Sequence, residues 1–273
     1  MINLLEAFKN EEGFTKKRFG QHFLTNKHFL EQIIQSANIE SDDNVIEIGP
    51  GCGVLTQLIA DSGASVTAVE IDESLIEFLT RYLFFYKNLS FINKDGAYID
   101  YNTIYPDKKV IIIGNLPYNV SVKIFEQTAM RKNIKNMVFM FQKEVADRIT
   151  AKPNSKAYSS LSVFASYFFN MTKIRDISGN NFWPNANVVS TVVKFEPKNE
   201  YLLNKDEETI FFKFLRTAFK QKRKTLKNNL SEINNIISCL EDTGLSSTSR
   251  AEELDLNTFI NLFKVIYNEN KTV

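Results

Sequence analysis

Asn115-Leu116-Pro117-Tyr118 carries the residue types in this chain best suited to chemistry on a planar amine. Such a group needs acceptors for its N–H bonds and a flat face to lie against. The Asn115 side-chain oxygen and the Leu116 backbone carbonyl ahead of Pro117 are two acceptors. Pro117 stiffens the turn, and Tyr118 offers an aromatic face. The tetrapeptide follows Val110-Ile111-Ile112-Ile113-Gly114, a short apolar run ending in glycine. A run of that kind reads as a buried strand that stops at a loop. In open α/β sheets ligands sit outside the carboxyl ends of strands, so these four residues fall where chemistry is usually done. An ordinary strand-to-helix turn would also account for the four letters taken alone.

The elements that must position this turn are legible on either side of it. Asn44-Val45-Ile46-Glu47-Ile48 predicts a strand running into Gly49-Pro50-Gly51-Cys52-Gly53, with a helix after it. Strand, glycine-rich turn and helix start form the nucleotide-binding unit of a doubly wound sheet. Glycines let the backbone approach a ligand and the helix start presents free N–H groups, so Gly49 and Gly51 are candidate contacts. The next strand, 64–69, ends at Glu70, about 20 residues past the glycines, where a carboxylate can accept from both ribose hydroxyls. The glycines form G-x-G-x-G, not the G-x-G-x-x-G that suits a pyrophosphate. Glu47 is a poor neighbour for a pyrophosphate and an acceptable one for an amino-acid ammonium. These features favour S-adenosylmethionine over a dinucleotide. A third strand, 90–94, leads to Asp95-Gly96-Ala97; Asp95 can accept from a cofactor adenine amine, although Asp-Gly is also common turn chemistry. Glu70, Asp95 and Asn115 thus place an acceptor at the end of three consecutive strands.

The rest of the chain adds surfaces. Lys16-Lys17-Arg18-Phe19-Gly20-Gln21-His22-Phe23-Leu24 reads either as a solvated charge run or as a basic arm for phosphate whose turn closes over a ligand. Residues 28–37 predict a helix. Phe78, Tyr82, Phe84, Phe85 and Tyr86 fit a core face, and Cys52 a small filler. Phe182, in a loop over 180–184, is a candidate partner for Tyr118 in sandwiching a flipped base, or else a hydrophobic anchor. Residues 196–206 read as a linker, after which strand signals cease. Residues 210–230 predict one long amphipathic helix, with Phe211, Phe214, Leu215, Ala218, Leu226 and Leu230 as its apolar stripe. Between Lys213 and Asn229 it carries cations and no acid. Like charges on one helix repel, so phosphate contact by Lys222, Arg223 and Lys224 is a better reading than a solvated face. Ser249 with Glu252 fits a capping box that opens a further helix.

Composition bounds these readings. The 273 residues, 44% of them hydrophobic, allow one large domain or two smaller ones with a sizeable core. No apolar run reaches the length of about 18 residues needed to span a membrane, and the N-terminus lacks the layout of a secretory signal. Two cysteines far apart argue against a disulfide scaffold and for a reducing compartment. Two histidines with so few thiols make no metal site. A net charge of +1 argues against a chain basic throughout, but not against one basic face.

From about Lys16 to near its end, the chain resembles the ribosomal RNA adenine dimethyltransferase family, most closely the small-subunit, KsgA-type branch. The segments that carry the resemblance are RFGQHFL, EIGPGCGVLT, VEID, Asp95-Gly96-Ala97, IIIGNLPYNVS, FMFQKEVADR, FKQKRKTLKNNL and SRAEELDL, in that order. The resemblance implies an α/β fold: a Rossmann-like seven-stranded S-adenosylmethionine-dependent methyltransferase sheet over 1–200, with a small all-helical, rRNA-binding domain over 201–273. It implies cofactor contacts at His22, Leu24, Gly49, Glu70, Asp95 and Asn115. It also implies dimethylation of N6 of two adjacent adenosines near the 3′ end of 16S rRNA in the small ribosomal subunit. A cytoplasmic monomer without metal is expected. Two departures stand out. His22 occupies a position where the family commonly has Asn, and Phe182-Trp183-Pro184-Asn185-Ala186-Asn187-Val188 replaces a proline-rich loop ending in Lys-Val-Asp-Ser. Three rivals remain open at this point: the large-subunit rRNA branch, a DNA adenine methyltransferase, which would normally carry Asp-Pro-Pro-Tyr, and an assembly factor that keeps the fold without turnover.

Overall fold

Alternating apolar runs and amphipathic stretches become alternating strands and helices. Leu4–Asn10 (α1), Phe23–Leu24 (β1) and Lys27–Ala37 (α2) precede Asn44–Ile48 (β2), Val54–Asp61 (α3), Ser65–Glu70 (β3), Glu73–Leu83 (α4) and Leu89–Asn93 (β4). Val110–Asn115 (β5), Ser121–Ala129 (α5), Ile134–Gln142 (β6) and Lys143–Ile149 (α6) follow. Then come Ser160–Phe168 (α7), Phe169–Ile177 (β7), Phe182–Trp183 (β8) and Ser190–Pro197 (β9). This computed structural model describes residues 2–11, 16 and 20–271, with the side chains of 269–271 excepted. The leader residues Lys17, Arg18 and Phe19 lie outside the described residues.

Seven strands form one sheet in the order β4-β3-β2-β5-β6-β9-β7. The pairs β3–β4, β2–β3, β2–β5 and β5–β6 are parallel, and β6–β9 is antiparallel. Central parallel strands are covered on both faces, which is why β5 reads as an unbroken apolar run. Val110, Ile111, Ile112 and Ile113 are each at most 1% exposed. The register sets the working edge: Ile48 lies opposite both Val69 and Gly114. Glu70 and Asn115 therefore follow one step later on either side of Gly49, at neighbouring strand tips. Gly114 is required for this closeness, because a Cβ there would sit 2.6 Å from the Ile48 carbonyl oxygen.

Three strands were not foreseen, β1 among them. β7 is a nine-residue strand with polar residues over most of its length, so it lacks the apolar run that marks a buried strand. β8 is two residues long and pairs antiparallel with β1, Leu24 opposite Phe182 and Phe23 opposite Trp183. Of the aromatics expected in the core, Phe78 is buried at 3%, but Phe84 and Phe85 lie in the turn after α4 and are 72% and 44% exposed.

The chain divides into two units, Met1–Ala146 with Met171–Pro197, and Asp147–Asn170 with Lys198–Val273. The second takes in more than a cut at residue 200 would assign to it. The reason lies in α7, whose aromatics pack against the C-terminal helices: Phe164 and Phe168 lie 4.9 and 5.5 Å from Phe212. The remaining helices are Lys205–Ala218 (α8), Leu226–Asn229 (α9), Ile236–Asp242 (α10) and Leu256–Lys271 (α11). The predicted helix over 210–230 is thus two helices. Its apolar stripe is buried as expected, from Phe211 at 0% to Phe214 at 8%. It breaks at Phe219, where Asn229 Nδ2 donates to the Ala218 carbonyl at 2.7 Å and the Gln221 carbonyl at 3.2 Å, and Thr225 caps α9. The cap before α11 is shifted as well: Glu253, not Glu252, accepts from the Arg250 backbone N–H at 3.0 Å, and Asp255 accepts from Thr258 N at 2.8 Å at the start of α11. Among the described residues no helix is long and apolar enough to cross a membrane.

Candidate active site

Asn115 ends β5, and among the described residues one hydrogen bond fixes its side chain. Its Nδ2 donates to the His22 carbonyl at 2.8 Å. A carbonyl only accepts, so this bond assigns the amide and leaves Oδ1 as the free acceptor end. After it, Leu116 is buried at 1%, and Pro117 closes a turn whose carbonyl accepts from Val120 N at 3.1 Å. The Tyr118 hydroxyl lies 2.8 Å from Ser190 Oγ, which holds the half-buried ring at its edge. Asn115, Leu116, Pro117 and Tyr118 line one cleft with His22, Gly49, Gly51 and Glu70.

The glycine loop and Glu70 are tied to each other. Glu70 Oε2 accepts from Gly51 N at 3.3 Å, and Oε1 from Asp72 N at 3.0 Å. Gly51 has φ +57, and a Cβ there would lie 2.6 Å from the Phe23 ring, so only glycine keeps the loop this close to the leader. Burial raises the Glu70 carboxyl to about 7. It raises Glu47 further, to about 8, with the charge of Glu70 adding to the effect. Glu47 is 1% exposed, and among the described residues its Oε2 has no hydrogen-bond partner. A second cavity is lined by Glu47 with Gly49, Leu24 and Asn115. Cys52 is the filler expected, buried at 1% against Leu4, Phe8 and Phe23, its thiol pushed up to about 12 by burial.

Asp95 follows β4. One carboxylate oxygen accepts from Ala97 N at 2.8 Å, so the turn chemistry is real. The residue also lines a pocket with Ile71, Val120, Ile124 and Pro117. That apolar lining was missed from sequence, although Ile71 is 40% exposed, unusual for an isoleucine beside a buried glutamate. Asp72 was missed too. It caps α4 through Ser74 N and receives Lys16 Nζ at 2.6 Å and Gln21 Nε2 at 3.0 Å. Burial alone would raise its carboxyl, but these bonds outweigh burial and lower it. The D-x-S cap signal directly after Glu70 could have found it.

Several sequence expectations change here. Phe182 is not a stacking residue: it is 2% exposed and packs in the core with Leu24, Leu30, Val138 and Met140. The β1–β8 pairing draws it inward, and the ring facing Tyr118 is His22. The Leu24 side chain is likewise buried, at 5%, and the residue lines the second cavity with Glu47. Lys16 is bound to Asp72 within the protein and is not a phosphate-seeking arm. Lys222, Arg223 and Lys224 lie in the exposed turn between α8 and α9, not on a helix face, and Lys222 Nζ donates to the Lys156 carbonyl.

A mostly parallel seven-stranded sheet with three carboxylates and an asparagine at adjoining strand tips is the frame of a Rossmann-like methyltransferase. Comparison with known proteins narrows the class. The chain belongs to the ribosomal RNA adenine dimethylase family, whose model matches residues 14–268. It is 37% identical over 273 residues to the ribosomal RNA small subunit methyltransferase A of Clostridium botulinum (strain Kyoto / Type A2), covering 98% of this chain and 99% of the relative. The protein of the same name from Hahella chejuensis is 36% identical over 255 residues, 93% of each chain. Among solved structures, a dimethyladenosine transferase from Plasmodium falciparum superposes with a TM-score of 0.80 at 28% identity, over 91% of this chain and 98% of that one. The 23S rRNA methyltransferase ErmE shares the fold, with a TM-score of 0.71 at 21% identity over 90% of this chain and 99% of that one.

Proposed function

We propose that the protein uses S-adenosylmethionine to dimethylate N6 of two adjacent adenosines near the 3′ end of 16S rRNA, as the small subunit is assembled in the cytoplasm. The observation that carries this reading is the Asn115 amide, held at its nitrogen by the His22 carbonyl so that its oxygen is the acceptor in the cleft. The near full-length likeness to small-subunit methyltransferases supports the choice of rRNA.

The donor set suits the cofactor. It is rich in acceptors: the orphaned Glu47 oxygen for an ammonium, Glu70 for ribose hydroxyls, and Asp95 for an adenine amine. Ile71, Val120 and Ile124 supply apolar surface for the adenine ring, and Gly49 and Gly51 the close backbone. When bound, the cofactor supplies an electrophilic methyl group on a sulfonium. The protein must do the rest by positioning. An adenine amine is a weak nucleophile because its lone pair is delocalised into the ring. Asn115 Oδ1 and the Leu116 carbonyl hold its two N–H bonds and turn the lone pair out of the ring plane. Tyr118 stacks on the base and offsets part of the few kcal/mol that unstacking costs. Proximity and fixed dipoles together can supply roughly 7–11 kcal/mol, so no strong base is needed. The exposed turn with Lys222, Arg223 and Lys224 contributes phosphate contacts.

Labelled cofactor incubated with unmethylated small subunits, large subunits or DNA, followed by mapping of the label, tests the substrate. Label confined to the small subunit is expected; label on the large subunit or DNA would refute the assignment. Asn115→Ala should lower transfer by at least about 100-fold while leaving RNA binding nearly intact. Wild-type rates in that variant would disprove the role of Asn115.

A further inference from the structure

We infer that helix α1 is a clasp on the glycine loop, and that Phe8 is the positioning residue through which its docking tightens cofactor binding. This role rests on the cofactor reading proposed above and extends it to an element that lines none of the three cavities described there. With seven residues, α1 is far shorter than the roughly 12–15 that a helix needs to persist alone in water. It is held instead by what it docks on. Leu4 and Phe8, one turn apart, are its buried residues.

Those two side chains meet the loop from behind. Gly51 lines the cleft with Glu70 and donates its N–H to Glu70 Oε2 at 3.3 Å. The Phe23 ring lies against Gly51, and Phe8 braces that ring edge-on, with centroids 5.7 Å apart and planes at 80°. Phe8 meets Phe78 of α4 at 5.3 Å and Trp183 of β8 at 6.2 Å in the same way. Edge-to-face pairs of this kind hold geometry as well as bury area. Leu4 abuts the end of the loop, where a Cβ on Gly53 would lie 3.3 Å from its side chain. Cys52 is buried in the same cluster. At the rim, Glu11 accepts from Tyr82 Oη at 2.6 Å and from Arg81 Nη2 at 3.0 Å, while Lys9 Nζ stands 4.9 Å from the centre of the Trp183 ring. Undocking of α1 would remove the brace from Phe23 and free Gly51 and Gly53 to shift. A loosened loop holds the cofactor less well. By linkage, a bound cofactor must then hold α1 down by the same factor.

That reciprocity supplies the test. Amide exchange over residues 4–10 is measured in the wild-type chain with and without saturating S-adenosylhomocysteine. Exchange in α1 should slow about fivefold or more, while α10, an equally short helix in the other unit, keeps its rate. Unchanged exchange in α1 would overturn the clasp. Equal slowing of α1 and α10 would overturn it too, since that reports only a ligand stabilising the whole fold. Variants then loosen the clasp at its centre and its rim. Calorimetry on Phe8→Ala should show S-adenosylhomocysteine affinity weakened about fivefold or more, with smaller losses in Phe8→Leu and Glu11→Gln. KM for S-adenosylmethionine should rise in step, with kcat at saturating cofactor close to wild type. Wild-type affinity in a folded Phe8→Ala, or a lower kcat with an unchanged KM, would each count against Phe8. Where Phe8→Ala does not fold, exchange in the wild-type chain decides. A wild-type protein that binds S-adenosylhomocysteine while α1 stays indifferent loses the clasp and keeps the cofactor reading. One that does not bind it loses both.

Discussion

At the scale of single residues, the site is a set of acceptors whose environments differ. Asn115 keeps a free oxygen because its nitrogen is committed, whereas Glu47 and Glu70 are buried carboxyls raised to about 8 and about 7 from an ordinary 4.5. Such a group keeps its proton in the folded protein where the unfolded chain has lost it. Its contribution to stability is complete below the unfolded value and disappears as pH rises through the folded value. The ligand-free protein is therefore expected to melt at progressively lower temperature as pH rises from about 5 to about 8. Glu47→Gln removes one of the two groups and should flatten that fall. Parallel melting curves for wild type and variant across the range would show that Glu47 is not the source. The types and order of Glu47, Glu70, Asp95 and Asn115 were readable in the chain. Which oxygen is satisfied and which is orphaned was not, because that depends on partners distant in sequence such as His22 and Gly51.

At the scale of elements, strands covered on both faces announced themselves, and short or edge elements did not. β2 spans the five residues its apolar pattern predicts. β8 has two residues and no periodicity to read, yet it decides that Phe182 points into the core. The C-terminal cations show the same limit. Their spacing fits a helix, but Asn229 satisfies the carbonyls where α8 ends and the chain turns out through Lys220, Lys222, Arg223 and Lys224. A turn presents these cations in one exposed cluster. Changing Lys222, Arg223 and Lys224 together to Glu is expected to weaken RNA binding and to make its dependence on salt shallower by about 2 in the log–log slope. Binding measured at several salt concentrations checks this; an unchanged slope would place the phosphate contacts elsewhere.

At the scale of the whole molecule, the second unit is discontinuous, with 147–170 joined to 198–273. Tyr167 donates to Glu208 at 2.9 Å, and its ring lies 5.4 Å from that of Phe212. A chain cut near residue 200 would strip these partners from α7 and leave Phe164, Tyr167 and Phe168 uncovered. Aromatic side chains bury about 150–250 Å² each, so such a truncation is expected to bind a hydrophobic dye and to lose its cooperative melt. A truncated chain that melts sharply and binds no dye would show that the boundary belongs at 200 after all. Sequence by itself determined the parallel sheet, the glycine loop and the acceptors at its strand tips, because these follow from local periodicity and from motifs contiguous along the chain. Only the tertiary structure decided the free end of Asn115, the burial of Phe182, the pairing of His22 with Tyr118 and the extent of the second unit. Each of these depends on groups far apart in sequence that come together only when the chain has folded.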